Sequence, residues 1–335
     1  MQNGLFRNEG AKVTSSTIPK ELPREEQLLL RTIQKQTDNQ NKDNITRTKA
    51  YEAFFAMHPT VHWSYLAGMV SRNAGWNMCD LASKNYEILL TPSYRKLLFL
   101  TYEQANWLIF RDAYPQLLLF HYSTKWNRPL FHLCKYFYIS SFIEAEWNYF
   151  WRVHDEKRLV YSMIVNEQHI IDLPVIKKGP YNTVFHSFHF FFQDMLHFST
   201  VLFPNRFGEW YGSSVANFRT LDNRIELGKK LYAILFSDLL HSEFLAFSRK
   251  TEHTGSRHDY QRFSPIIFSE TPYLRSIYPV VTHYMDESIQ WNRSVLVKSK
   301  WYDPPEFHET INLTKWYQKK QKQLQVFAAI KAALP

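Results

Sequence analysis

The chain has 335 residues and a formal charge of +9, with 45% hydrophobic and 17% aromatic residues but only nine glycines. That apolar content is enough for a large core and excludes a disordered chain, while scarce glycine and helical spacing of the apolar residues argue against a sandwich, a barrel or a Rossmann sheet. The expected fold class is all-α, a single multi-helix globular domain with buried central helices that are apolar all round.

In chain order, residues 1–20 are polar and aperiodic and read as a disordered N-terminal arm. The helical core domain is expected over 21–309. A first helix starts after Leu22-Pro23 with Glu25 and Glu26 in its first turn and ends in the polar stretch Gln36–Asn44; a second runs from about Ile45 to Met57. His58-Pro59-Thr60 breaks it, and Thr60 precedes the next helix as a plausible N-cap. A long buried helix spans about Pro92–Tyr114 and should kink or restart at Pro115. Further helices are expected near 141–153, 156–171, 181–202 and 226–248. The stretches 203–225 and 250–265 read as loops, Pro265–Met285 as helical, and 292–309 as a connector. Residues 310–335 are expected to form an amphipathic helix packed on the core through Leu313, Trp316, Tyr317, Leu324, Phe327 and Ile330, with membrane-surface or partner docking as the alternative role.

No run of about 18 uncharged apolar residues occurs, and Met1–Arg7 lacks the apolar stretch of a signal peptide, so a cytoplasmic protein without a transmembrane segment is expected. In that setting the sequons at Asn44, Asn292 and Asn312 carry no meaning. Cys79 and Cys134 are too few for a disulfide framework and read as small core residues. The first fifty residues carry about +3 and the last forty-six about +5, which reads either as attraction to nucleic acid or an anionic membrane or, more plainly, as a solubilising rim at the termini. With no Arg-rich run, zinc-finger spacing or helix-turn-helix signature, the sequence argues against nucleic acid as a partner.

The candidate chemistry lies in polar residues set inside otherwise apolar helices. Glu103 and Asn106 share a stripe with Phe99 and Phe110, and Asn166 and Glu167 interrupt two apolar runs. A buried carboxylate needs a partner or a shifted pKa. Arg72, Asn73, Asn77 and Asp80 crowd among Met69, Trp76 and Met78, either as a pocket wall or as a helix end capping its successor. Arg72 is the expected counter-ion of Glu103 or Glu167. Asp112 and Gln116 flank Pro115 and could satisfy backbone groups freed there. The loop Glu252–Tyr260, with Arg257, reads as an anion-binding or pocket-closing loop, or as a polar surface loop. Two Asp-x-x-His pairs, Asp194/His197 and Asp238/His241, have the spacing used in helical di-metal sites, with Glu103 and Glu167 as further ligands; with 14 histidines such pairs also arise by chance. His186, His189, Gln193 and His197 fall on adjacent turns, where aromatic packing is the plainer reading. No P-loop, G-x-G-x-x-G, H-E-x-x-H or G-x-S-x-G motif occurs.

The stretches His62–Met78, Phe110–Leu118 and Ile164–Gln168 together resemble the YppC-like family of Bacillus-type bacteria, over about residues 55–290. The resemblance implies a bacterial source and a cytosolic, mainly helical protein, and it brings no activity, cofactor or catalytic residue with it.

The leading expectation is a polar pocket formed by Arg72, Asn73, Asp80, Glu103, Asn106, Asn166 and Glu167, with Asp112 and Arg257 nearby, that binds a small polar ligand. As an enzyme it would use Glu103 or Glu167, with pKa raised by burial, as general base and Arg72 as anion anchor. The alternatives are a non-enzymatic interaction protein, whose buried polar residues are structural and which engages a protein partner, and a di-metal carboxylate protein. No cofactor is favoured, and a divalent metal is the one the spacings allow.

Overall fold

The computed structural model describes residues 21–177, 200–214, 218–264, 271–283, 297–308 and 310–333. The protein is predominantly α-helical. Helices α1 (Arg24–Gln40), α2 (Asn44–Met57), α3 (His62–Asp80), α4 (Lys84–Leu89) and α5 (Pro92–Trp126) are followed by a 3₁₀ turn at Phe131–Phe137, α6 (Ser141–Val153) and α7 (Glu156–Ile171). A π-helical turn at Asp172–Lys177 extends α7. After the hairpin of β1 (Thr200–Pro204) and β2 (Trp210–Ser214) come α8 (Leu221–Leu235), α9 (His241–Lys250), two single turns, α10 (His258–Gln261) and α11 (Leu274–Ile277), and the C-terminal α12 (Thr314–Ala333).

Local chemistry starts several of these helices, but Thr60 does not cap α3, whose N-cap is Val61 with no side-chain cap bond. Asp43 accepts from the Thr46 backbone N–H at 2.8 Å while the Thr46 hydroxyl receives the Asp43 N–H at 3.2 Å, a capping box that opens α2. Thr91 caps α5 ahead of Pro92, Ser140 caps α6 and Asp155 caps α7. Helix α3 lies at the centre and packs against α2, α5, α7, α8 and β1. Every residue of α3 except His62 and Val70 is buried, and Trp63 and Trp76 are fully enclosed.

Several expectations are corrected. Helix α5 runs through Pro115 without interruption. Pro115 has no N–H to donate to the Arg111 carbonyl, but Pro115–Phe120 are all buried. Tertiary burial here outweighs a proline penalty of about 3 kcal/mol. The end of the expected 181–202 helix is the strand β1; residues 181–199 lie outside the described residues. β2 falls in the expected 203–225 loop and pairs antiparallel with β1, Val201 opposite Ser213 and Phe203 opposite Tyr211. Residues 311–313 add to the free edge of β2, with Gly212 N–H donating to Ile311 O at 2.9 Å and Leu313 N–H to Trp210 O at 2.8 Å. A Cβ at Gly212 would stand 2.0 Å from the Val201 carbonyl oxygen, which explains the glycine. The expected 226–248 helix begins earlier, at Leu221, and is split by a turn at 236–240. Of Pro265–Met285 only the turn α11 is helical among the described residues, and α10 occupies the expected 250–265 loop. In α12, Ile330 is not on the packed side but 53% exposed. Among the described residues no helix is long and apolar enough to cross a membrane.

Two glycines of α3 differ sharply in what surrounds them. A Cβ at Gly75 would come within 2.3 Å of Asn44 Oδ1 and 3.0 Å of the His253 ring, whereas at Gly68 the nearest atoms are 3.6 Å away. Asn44 cannot yield easily, because its amide donates to Ser71 O at 2.8 Å and its oxygen meets His253 Nε2 at 2.7 Å. Gly75→Ala should therefore destabilise the protein by about 1–3 kcal/mol through overpacking, and Gly68→Ala should leave it unchanged or more stable by up to about 1 kcal/mol. Urea unfolding of both variants checks this, and a Gly75→Ala protein as stable as the parent would contradict it.

Candidate functional site

The polar residues of α3 do not converge on one pocket; they meet several different segments. Arg72 Nε donates to Glu52 Oε1 at 2.6 Å and its Nη2 to Ser248 O at 3.1 Å, so its counter-ion is Glu52 of α2 rather than Glu103 or Glu167. Asn73 pins the hairpin: its amide donates to Thr200 O at 3.3 Å and its oxygen accepts from Leu202 N–H at 3.1 Å. Asp80 is in contact with the Arg257 guanidinium, which also donates to Asn77 Oδ1 at 2.6 Å and to the Tyr260 hydroxyl. Tyr260 in turn shares a 3.1 Å hydrogen bond with Tyr317 of α12. Burial pushes the Asp80 carboxyl up to about 6 even against Arg257.

The loop carrying Arg257 is not a surface loop. His253, Gly255, Ser256, Arg257, Asp259 and Tyr260 are all buried. Asp259 accepts from Trp76 Nε1 at 3.2 Å and from the Thr254 hydroxyl at 2.5 Å, and the loop turns on Gly255 at φ +81°.

A second network joins α5, α6 and α7. Asn166 Nδ2 donates to Asp112 Oδ2 at 2.5 Å, Gln116 Nε2 donates to the same oxygen at 2.7 Å, Ser140 donates to Asn166 Oδ1 at 2.9 Å, and Trp147 Nε1 donates to Gln116 Oε1 at 2.9 Å. No cation is in the set, and burial pushes the Asp112 carboxyl up to about 7 against its amide donors. Glu167 is a third, separate case. It is half-buried and accepts from Trp63 Nε1 and Gln168 Nε2, both at 3.1 Å; burial likewise pushes its carboxyl up to about 7.

Glu103 lines a cavity. Arg47 Nη2 donates to Glu103 Oε2 at 2.5 Å, and His283 Nε2 lies 3.4 Å from Oε1, with all three residues buried. His283 Nδ1 meets Gln104 Oε1 at 2.7 Å, and its ring stacks on Trp107 with centroids 5.1 Å apart. Arg47 also donates to Asn41 Oδ1 at 3.2 Å, while its buried Nε finds no acceptor among the described residues. Burial would push the Glu103 carboxyl up, but Arg47 and His283 outweigh it and hold the group below its ordinary range. The raised pKa expected for Glu103 is therefore corrected: it is an ionised acceptor, not a poised base. Its stripe neighbour Asn106 does not join it and donates to Tyr102 O at 2.8 Å within the helix.

A cavity of about 400 Å³ opens over Glu103 between α5, the start of α2 and the segment Leu274–Val281. Phe99 and Tyr278, stacked at 3.7 Å, form one wall; Leu274, Val280 and Val281 are apolar, and the rim carries Lys42 and the Asp43–Arg275 ion pair at 2.7 Å. Sequence reasoning missed Arg47, Glu52 and His283. Arg47 was within reach, since Asn44, Arg47, Thr48 and Tyr51 lie on one stripe of α2 and all are buried. His283 sits outside any periodic element and gives no local signal.

The metal spacing does not survive where it is described. Asp238 is exposed in the α8–α9 turn, while His241 starts α9 and turns inward, its Nδ1 2.9 Å from Leu235 O and its ring stacked on Phe236 at 4.7 Å. The pair is thus not on one helix face. Asp194, His197 and the neighbouring His186, His189 and Gln193 lie outside the described residues. Among the described residues no group of three His, Cys, Asp or Glu side chains could hold a metal ion.

Asp112 sets a pH dependence of stability. Its carboxyl titrates near 7 in the folded protein and near 3.9 when unfolded, so its stabilising contribution is full below about pH 4, declines as pH rises and is lost above about pH 7. Asp112→Asn keeps an acceptor for Asn166 and Gln116 without a charge to bury. It should be more stable than the parent by about 1 kcal/mol or more at pH 8, and the difference should shrink at pH 5. Urea unfolding at the two pH values measures this; a variant less stable at pH 8 would show that the carboxylate itself is needed.

Comparison with known proteins follows the same lines as the sequence resemblance. No solved structure matches the fold. The chain is 42% identical over 304 residues to the uncharacterized protein YppC of Bacillus subtilis, covering 90% of this chain and 95% of that one. The family described as "Protein of unknown function (DUF2515)" matches residues 39–325. The chain belongs to the DUF2515 family of proteins of unknown function.

Proposed function

We propose that the protein is a cytoplasmic small-molecule binder whose ligand occupies the cavity over Glu103. The observation that carries this reading is that a buried, ionised carboxylate faces a concave space otherwise walled by aromatic and aliphatic side chains. About 400 Å³ is within the range of ligand pockets, and a few placed polar groups in an apolar wall are their usual composition. Glu103 carries about four lone-pair sites, of which Arg47 and His283 engage two, so it can accept from a ligand as well. Arg47 cancels the Glu103 charge locally, which removes the field that would select an ion. The chemistry favoured is an uncharged molecule with an apolar body and one or two O–H or N–H donors directed at Glu103. Arg72, Asn73, Asp80, Asn166 and Arg257 then support the scaffold rather than touch the ligand.

Glu103→Gln is a poor test, because leaving Arg47 buried without its counter-charge costs about 3–5 kcal/mol of stability by itself. Val281→Trp instead fills the cavity from a partly buried wall position. Native mass spectrometry of gently purified protein, compared with its denatured mass, should show an organic adduct on the parent chain that is missing from folded Val281→Trp. A bare mass for the parent, or an adduct kept by the filled variant, would contradict the proposal.

A further inference from the structure

The C-terminal helix α12 presents two faces that the sequence alone does not separate. Tyr317, Gln321, Leu324 and Ala328 are buried against the body, and Lys331 Nζ donates to Leu89 O at 3.0 Å. At 100° per residue these four buried positions occupy one side of the helix. Lys315, Lys319, Lys322, Val326, Ala329 and Ile330 fall within a stripe about 100° wide on the opposite side, and all six are exposed. Val326 and Ile330 keep 56% and 53% of their surface in water. No acidic residue occurs in Thr314–Ala333, and among the described residues none of Lys315, Lys319 and Lys322 has an acidic partner. Glu87, the acidic residue of the neighbouring α4, is paired with Arg95.

We propose that this stripe docks on an anionic lipid bilayer, with the lysines at the headgroups and Val326, Ala329 and Ile330 inserted shallowly into the acyl boundary. Three lysines along one line, without an acidic partner among the described residues, match a negatively charged surface, and the apolar residues that continue the same line need something to cover them. Basic side chains at the headgroups and apolar side chains at the acyl boundary are the two contributions that hold a peripheral protein face on an anionic bilayer. Nucleic acid is the weaker match, because the stripe has no arginine to read phosphates bidentately and no aromatic ring for bases, and phosphates give Val326 and Ile330 no reason to be exposed. Docking does not depend on the cavity reading, since no stripe residue lines the cavity.

The full chain should co-sediment with vesicles of phosphatidylcholine mixed with phosphatidylglycerol, not with vesicles of phosphatidylcholine alone, and added salt should weaken the binding. Lys319→Gln with Lys322→Gln should lower partitioning about 25-fold, about fivefold per lysine. Val326→Ser with Ile330→Ser should lower it about tenfold or more while leaving the salt dependence unchanged. Both pairs are surface changes, and circular dichroism checks that α12 and the fold remain. Equal binding to both vesicle types, no binding to either, or indifference to the two lysines would overturn the proposal. So would tight RNA binding insensitive to Val326→Ser and Ile330→Ser, which would assign the stripe to nucleic acid.

Discussion

Burial of α3 on every side is the constraint on which the rest of the structure depends. A helix with no wet face cannot leave Arg72, Asn73, Asn77 and Asp80 to water, so each must be met by protein. The partners come from far along the chain: Glu52 and Ser248 for Arg72, the β1 backbone for Asn73, and Arg257 for Asn77 and Asp80. Each pairing fixes where a distant segment lies. The Arg257 cluster reaches furthest, since Tyr260 passes the connection on to Tyr317 and so ties α12 to the central helix. Ion pairs of this kind add little net stability over an apolar core, but a chain that misplaces one leaves a bare charge inside, and that penalty selects one arrangement.

Three carboxylates, Glu103, Asp112 and Glu167, show how environment divides one residue type into different roles. Glu103 has a guanidinium in contact and stays ionised; Asp112 and Glu167 have only amide or indole donors, and burial drives their titration up to about 7. Ionisation alone does not make a site. What distinguishes Glu103 is that its far side opens on a cavity, while Asp112 is closed in by Gln116, Asn166 and the helices that carry them.

Much of this was legible in the sequence, for identifiable reasons. Helices α1, α2, α3, α6 and α7 follow from apolar period and from the polar or proline breaks between them, and the stripe rule correctly singled out Glu103 and Asn166 as buried polar residues in need of partners, whereas Asp112 was read from its place beside Pro115. Who those partners are was not legible, because pairings such as Arg47 with Glu103 or Asp80 with Arg257 join residues 56 and 177 positions apart. Pro115 was misjudged since a local rule gave way to burial. The hairpin was missed because five-residue strands carry too little alternation to be told from a helix fragment, and their register depends on Asn73 and on residues 311–313. In α12, Ile330 looked like core because apolar residues occur on both faces; only the packed structure separates the buried side from the exposed one.

The most direct test of the account is a double-mutant cycle between Asp80 and Arg257, using Asp80→Asn, Arg257→Leu and the double variant in urea unfolding. If buried charges on α3 are held by distant partners, each single change leaves an unmatched group, and the double variant should be more stable than the sum of the two losses predicts by about 2 kcal/mol or more. Losses that add to within about 0.5 kcal/mol would mean that the two residues are energetically independent, and that the pairing around α3 does not organise the fold.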